Sequence, residues 1–423
     1  MTPKRAPRVA ITAPAAAAQE LNLTEAVVPG DICTNNTDAL PPYLAYVGSG
    51  NITAPVVYVN YGRQSDFDWL KAQGIELKGK IALVRYGINM RGLKVMLAEE
   101  HGMIGTLLFS DPQDDGFSQG ATYPNGPWRP EHSFQRGSAQ ILSLYAGDPL
   151  TPGFPSNKGA KYIPIEEANV LHTPATVLSY DQAALILKSL GGKSAPIDWQ
   201  GGLQLEGGYR VGDDGATEVN LDLDLESKIS PIWDVIGTIE GSEEPDKVVI
   251  IGNHRDAWVC GAVDPSSGSS TMLEIARGYG ELLKVGWRPR RTIKLASWDG
   301  EEAGLLGSTE YAEDHQEELL KEAATKKLQK KIGDGHWNAK DIGEMNDKLV
   351  RLERQFISEK GLHHRPWYRH VIFGPGFFEG YLGAAFPGIS DGIAFKDNAT
   401  SIQQHVDEVA LIVQGAGDFL IIN

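Results

Sequence analysis

The residues best suited to chemistry lie between positions 248 and 313. His254 and Asp256 form an H-x-D at the end of KVVIIGNH, a short apolar run of the kind buried strands show. Asp264 follows a turn marked by Pro265 and Gly268, and Glu301 and Glu302 close a second strand-like run, RRTIKLASWDGEE. Open α/β sheets hold ligands at the C-terminal ends of parallel strands. One imidazole and several carboxylates meeting there make a donor set suited to zinc. Asp256 can accept the ring N–H of His254 and fix its orientation. A carboxylate such as Asp264 can bridge two ions. Adjacent glutamates permit a division of labour: one binds metal, and the other takes a proton from metal-bound water. Taken singly, His254 also reads as a hydrogen-bonded strand-end histidine, and Glu301–Glu302 as acids favoured at a helix N-terminus. Their combination at matched strand ends points to metal.

Alternating elements must position these groups. VVYVNYG, KIALVRYG and MIGTLLFSDP read as strands. Between them SDFDWLKAQG, with Ser65 as N-cap and Gly74 as stop, and RGLKVMLAEEHG, closed by Gly102, read as helices. This alternation over 56–112 predicts an α/β module. Residues 116–157 are loop-like, Ser179–Gly192 an N-capped helix, and Asn220–Ser227 a half-exposed strand with period two. Ser269–Gly286 is a long helix. GSTEYAEDHQEELLKEAATKKLQKK, Asp341–Lys360 and Ile402–Ile422 are further helices. Residues 1–55, rich in Pro and Ala, read as an extended lead-in.

The 423 residues carry 39 Lys+Arg against 55 Asp+Glu, a net charge of −16. So acidic a surface repels phosphate backbones and excludes a nucleic-acid partner. No run reaches the ~18 apolar residues of a membrane span. Met1–Arg8 is basic and could precede a weak signal-like segment, Val9–Ala18, which is short, Ala-rich and broken by Thr12 and Pro14, too poor an apolar run to decide it. Cys33 and Cys260 are the only cysteines, which excludes a disulfide framework or a cysteine-rich zinc site. Glycosylation acceptors at Asn22, Asn35, Asn51 and Asn398 suggest a secretory, lumenal or extracellular protein.

The run GNHRDAWVCGAVDPSSGSS, followed by GWRPRRTIKLASWDGEEAGLLGSTEYAED, closely resembles the zinc exopeptidase family that contains glutamate carboxypeptidase II and the transferrin receptor. VYVNYGRQSDFDWL, GKIALVRYG, RGLKV, FSDPQDDG, QRGSAQ and GDPLTPGFPSN resemble its protease-associated domain. MNDKLVRLERQFIS, RPWYRHVIFGP and FPGISD resemble its C-terminal helical dimerisation domain. The resemblance implies an α/β architecture: a lead-in over 1–55, a protease-associated domain over 56–228, a shortened exopeptidase sheet domain over 229–322, and a helical dimerisation domain over 323–423. It implies two zinc ions, with His254 and Glu302 as separate ligands, Asp264 bridging, Glu301 as general base and Asp256 supporting His254. It also implies a calcium site at Thr151, Phe154, Glu310 and Glu313, substrate contacts from Arg91 and Tyr381, a peptide substrate, and a homodimer through the C-terminal helices.

The departures are specific. After GSTEYAED the family continues into strands that supply an aspartate to the first zinc and a histidine, in a Tyr-His-Ser setting, to the second. Here the chain runs from Glu317–Glu318 through Lys326–Lys331 into dimerisation-type helices. His336, His363, His364, His370 and His405 lie in contexts unlike the missing ligand. Each zinc keeps one private ligand plus Asp264, short of the three usual for catalytic zinc. The missing strands should also leave a sheet edge and apolar surface uncovered. Gly380 stands where glutamate-selective members carry a lysine, and Trp128 where they carry an asparagine. Two functions follow as expectations: a metallopeptidase impaired by two missing ligands, or a transferrin-receptor-like dimeric binding protein without activity. Retention of His254, Asp264, Glu301 and Glu302 favours the first.

Overall fold

Short β-branched runs become strands, and amphipathic segments become helices, in a computed structural model that describes residues 1–316 and 347–420. Residues 1–140, 146–150 and 163–310 form one unit; residues 141–145, 151–162 and those from 311 onward form a second.

The first unit holds a seven-stranded sheet built from β1 (Arg8–Ala13), β2 (Gln19–Glu20), β3 (Gly50–Tyr58), β4 (Ile81–Arg85), β5 (Gly105–Phe109), β6 (Ala175–Leu178) and β7 (Glu218–Leu223), in the order β2-β1-β7-β3-β4-β5-β6. β3 through β6 run parallel, and β4, β5 and β6 are buried at every position. Burial on both faces is what a parallel sheet covered by helices requires. α1 (Gln64–Ala72) and α2 (Arg91–Glu100) occupy the expected connections. Gly74 and Gly102 stop them at φ of +71° and +74°, a region costly for any residue with a Cβ.

Two local expectations change. The N-cap of α1 is Arg63, not Ser65: Asp66 accepts the Arg63 backbone N–H at 3.0 Å and its guanidinium at 2.8 Å. The first 55 residues are not only a lead-in. β1 pairs antiparallel with β7, and Val9 and Ile11 are buried against the sheet. Alanines at intervening positions blur the period-two signal there.

A three-stranded sheet follows: β8 (Val235–Ile239), β9 (Glu244–His254) and β10 (Arg291–Trp298), in the order β8-β10-β9. β9 and β10 are parallel, with His254 paired to Trp298 at their C-terminal ends. The long helix α4 (Ser266–Lys284) packs on β9 and β10, later in chain order than α3 (Tyr180–Ser189). Among the described residues β9 is an edge strand. Its apolar run reads as buried, yet Val249 and Ile250 are 44% and 38% exposed, because one strand neighbour and one helix cannot cover it. The central strand β10 instead buries Ile293 and Ala296.

In the second unit, β11 (Phe373–Pro375) and β12 (Gly383–Ala385) form a hairpin beside α6 (Pro387–Ala394) and α7 (Ala399–Leu420); the helix between, α5 (Leu306–Asp314), begins in the first unit. The helix expected over 341–360 is only partly present: 347–351 is helical, Glu353–Phe356 is a 3-10 turn, and Ile357 bridges His370. Residues 326–331, His336 and 341–346 lie outside the described residues. Arg365 anchors this unit. It is buried, donates to both Asp391 oxygens at 2.7 and 3.2 Å, and donates to the carbonyls of Ser143 at 3.1 Å and Pro375 at 2.6 Å.

Candidate metal centre

His254 ends β9, and Glu301 and Glu302 stand on the turn just after β10. Parallel pairing therefore brings the two segments to the same rim. Asp256 ties them together. Its two carboxylate oxygens accept the backbone N–H groups of Glu301 and Glu302, each at 3.0 Å. The turn is tight: Gly300 lies at φ +66° and Leu305 at +62°, and the N–H groups of Gly304 and Leu305 both donate to the Glu301 carbonyl.

Asn253 fixes the other side. Its amide nitrogen donates to Ser269 Oγ at 3.0 Å and to the Pro265 carbonyl at 3.3 Å, while Ser269 donates to the His254 carbonyl at 2.9 Å. The start of α4 is so close that a Cβ on Gly268 would lie 2.1 Å from Asn253 Oδ1. Gly268 is thus required for the approach that sets His254 beside Asp264.

The His254 ring faces acids on both sides. Nε2 is 2.8 Å from Asp264 Oδ1, and Nδ1 is 3.1 Å from the Asp256 carbonyl and 3.8 Å from Glu301 Oε2. The Asp256 carboxylate is farther, at 3.5 Å. The expected support of the His254 ring is thus given mainly by the Asp256 backbone, while its carboxylate holds the glutamate turn. A carbonyl only accepts, so Nδ1 carries the hydrogen. Nε2 would then point a lone pair at a carboxylate 2.8 Å away, unless a proton or a cation stands between them. Burial opposes a charge on His254, but Glu301, Asp264 and Asp256 outweigh it and raise its pKa. Burial, then Asp264, Glu301 and Asp256, push Glu302 up to about 7, and burial also raises Glu301. Among the described residues no hydrogen bond or ion pair engages the Glu302 carboxylate. Nitrogen and oxygen donors of these types suit zinc, and a divalent cation would relieve this crowding of acids; among the described residues, however, the ligand atoms of His254, Asp264 and Glu302 are not all gathered within 4.8 Å of one another.

Arg91, on α2, lies over Gly137 and the Tyr86 ring, and its charge reaches Glu301. Tyr381, in the second unit, is exposed. Of the residues assigned to calcium, Thr151 is buried with its hydroxyl unpartnered among the described residues, and its carbonyl accepts the Phe154 N–H at 3.2 Å. Glu310, in the first unit, accepts the Asp148 N–H at 3.1 Å; Glu313 belongs to the second unit.

Sequence reasoning missed one device. Cys33 and Cys260, 227 residues apart, form a disulfide. Trp258, two residues before Cys260, packs edge-on to Tyr43 at 5.5 Å. Together they hold the loop between His254 and Asp264 to the N-terminal segment. Two lone cysteines carry no spacing pattern from which a pair could be read. Cys33→Ser is expected to lower unfolding free energy by about 2–5 kcal/mol, measured by urea denaturation without reductant. An unchanged midpoint would show that the bond carries no stability.

Comparisons place these elements. Residues 52–142 match the PA domain, 234–330 peptidase family M28, and 308–421 the transferrin receptor-like dimerisation domain. The chain is 43% identical over 318 residues to a probable glutamate carboxypeptidase of Arthroderma benhamiae, covering 73% of this chain and 43% of the relative. It is 43% identical over 292 residues to the glutamate carboxypeptidase 2 homolog of Caenorhabditis elegans, covering 66% and 38%. It is 42% identical over 301 residues to aminopeptidase NAALADL1 of Rattus norvegicus, covering 68% and 40%. The matched part is thus about two fifths of the length of these curated relatives. With those three segments in that order, the chain belongs to the zinc exopeptidase family of M28 peptidases that carry a PA domain and a transferrin receptor-like dimerisation domain.

Proposed function

We propose that the chain is a glutamate carboxypeptidase-like, zinc-dependent exopeptidase with an impaired centre, hydrolysing peptide amides far more slowly than a complete relative. The observation that carries this reading is the pair of parallel strand ends, where His254, Asp264 and the Glu301–Glu302 turn meet and Asp256 joins the two segments. Zinc, when bound, would polarise the scissile carbonyl and acidify an attacking water. His254, Asp264 and Glu302 would hold it. Glu301, with a pKa raised by burial, would accept and return the proton. Asp256 would keep both glutamates on a fixed turn. The impairment follows from ligand count, since no aspartate or histidine of the missing strands completes the set. The retained acids and histidine argue against a purely non-enzymatic binding role.

The match over 308–421 supports a homodimer through the C-terminal helices. The disulfide and the four exposed acceptor asparagines support a glycosylated, lumenal or extracellular protein. Among the described residues no helix is long and apolar enough to cross a membrane.

The test is a zinc-loaded chain assayed on dipeptides and N-acyl dipeptides. Slow hydrolysis is expected, cut a further ~100-fold or more by Glu301→Gln, the usual scale for a lost general base. Hydrolysis indifferent to Glu301→Gln would sink the assignment. A rate within ~10-fold of a complete relative would sink the impairment, since a missing zinc ligand costs more than a lost outer-shell partner.

A further inference from the structure

A second group of metal donors lies in the second unit, and the peptidase reading does not use it. His363, Asp397 and His405 each offer one ligand atom, and the three atoms lie within 4.8 Å of one another. His363 Nε2 is 3.5 Å from Asp397 Oδ2, and the His363 and His405 rings are 4.8 Å apart between centroids. His405 Nε2 is inaccessible to solvent and has no hydrogen-bond partner among the described residues. Burying a polar atom without a partner is unfavourable, so such atoms call for an explanation. A cavity of about 20 Å³ lies beside the two imidazoles, lined by His363, His405, Glu408 and Ser358 but not by Asp397. One probe sphere of space suffices for a water or a small ion.

The supporting elements are held in place. His363 sits in the turn 362–365, whose last residue is the buried Arg365 clamped to Asp391. Asp397 stands one residue before Asn398, which leads into α7 and accepts the Ser401 N–H at 2.9 Å. His405 stands two turns into that helix, which Glu408 ties to Ser358 at 2.6 Å. His364 Nε2 reaches Asp397 Oδ2 at 3.0 Å, the outer partner that orients a ligating carboxylate. In a tetrahedral zinc site neighbouring donors are ~3.3 Å apart, from metal–nitrogen distances near 2.0 Å. Side-chain rotations of about an ångström would close the group onto an ion.

We propose that His363, Asp397 and His405 form a binding site for a divalent transition ion, zinc foremost, that clips the turn at 362–365 to α7. Two imidazoles and one carboxylate suit zinc, nickel or copper. Calcium and magnesium, which demand oxygen, are disfavoured. The fourth position stays open to water.

The test uses the full chain carrying His254→Ala, which silences the first centre. Metal-stripped protein is titrated with cobalt(II) and zinc. One cobalt per chain is expected, with the visible absorption of a four-coordinate ion, displaced by zinc. His405→Gln and His363→Ala should each weaken binding more than the ~10–100-fold lost with an outer-shell partner, and His364→Ala should fall within that range. Zinc should also protect the exposed His363 ring from diethylpyrocarbonate, a readout that needs no further substitution. Absence of stoichiometric uptake, uptake indifferent to His405→Gln and His363→Ala, or zinc that leaves His363 reactive would each overturn the proposal.

Discussion

Zinc affinity at the strand-end centre is expected to fall by more than ~100-fold on His254→Ala, measured by competition with a chromophoric chelator in a His405→Gln background that silences the second site. The imidazole supplies the only nitrogen of the proposed set. Its removal also leaves Asp264 and Glu301 facing each other without the group that balances them. Affinity should rise with pH through about 7. In the metal-free state His254 binds its proton more tightly than usual, because Glu301, Asp264 and Asp256 overcome its burial, and Glu302 titrates near 7. Both protons must leave when zinc enters, so uptake releases protons below that pH and fewer above it. Affinity flat from pH 6 to 8, or unaltered by His254→Ala, would mean that zinc binds elsewhere. Asp256→Asn should retain more affinity than Asp264→Asn, because its carboxylate acts on the backbone of the turn and not on the ring.

Arg365→Ala should destabilise the second unit by about 3–5 kcal/mol, the usual cost of breaking one side of a buried ion pair. Arg365 and Asp391 are almost wholly enclosed, and burial already raises the Asp391 pKa against the pull of the guanidinium. Truncation would strand that carboxylate together with the Ser143 and Pro375 carbonyls. Arg365→Lys should lie between, since it keeps the charge but loses the two-pronged geometry. The double change Arg365→Met with Asp391→Leu should recover much of the loss, because an apolar pair leaves no buried charge. Urea denaturation with limited proteolysis of the full chain reads all three. A single variant as stable as the parent would remove Arg365 from its place as anchor. Because the turn bearing His363 ends at Arg365, the same truncation should weaken cobalt uptake at the second site.

Much of the architecture was legible locally. Alternating apolar runs and glycine stops mark α1, α2 and strands β3 to β5, because each signal sits within a few residues of the element it ends or begins. The strand-end acids were legible for the same reason: parallel strands expose their C-terminal ends at one rim, and both ends can be read from the chain. Elements made by distant partners were not. β1 joins the sheet through β7, some two hundred residues away, and the Cys33–Cys260 link spans 227 positions. Asp256 shows the finer case. Its spacing from His254 suggested a ring contact, yet the turn after β10 takes both carboxylate oxygens.

From its order of residues alone this chain determined its family and which groups, His254, Asp264, Glu301 and Glu302, stand at or near the ends of its two parallel strands. Only the folded chain decided that Asp256 binds a turn instead of a ring, that β9 is left as a half-covered edge, and that His363, Asp397 and His405 meet. The reason is geometric. Side-chain type and short-range periodicity are properties of a segment. Which carboxylate faces which N–H, and which imidazole lacks a partner, depend on packing between segments that no local pattern encodes.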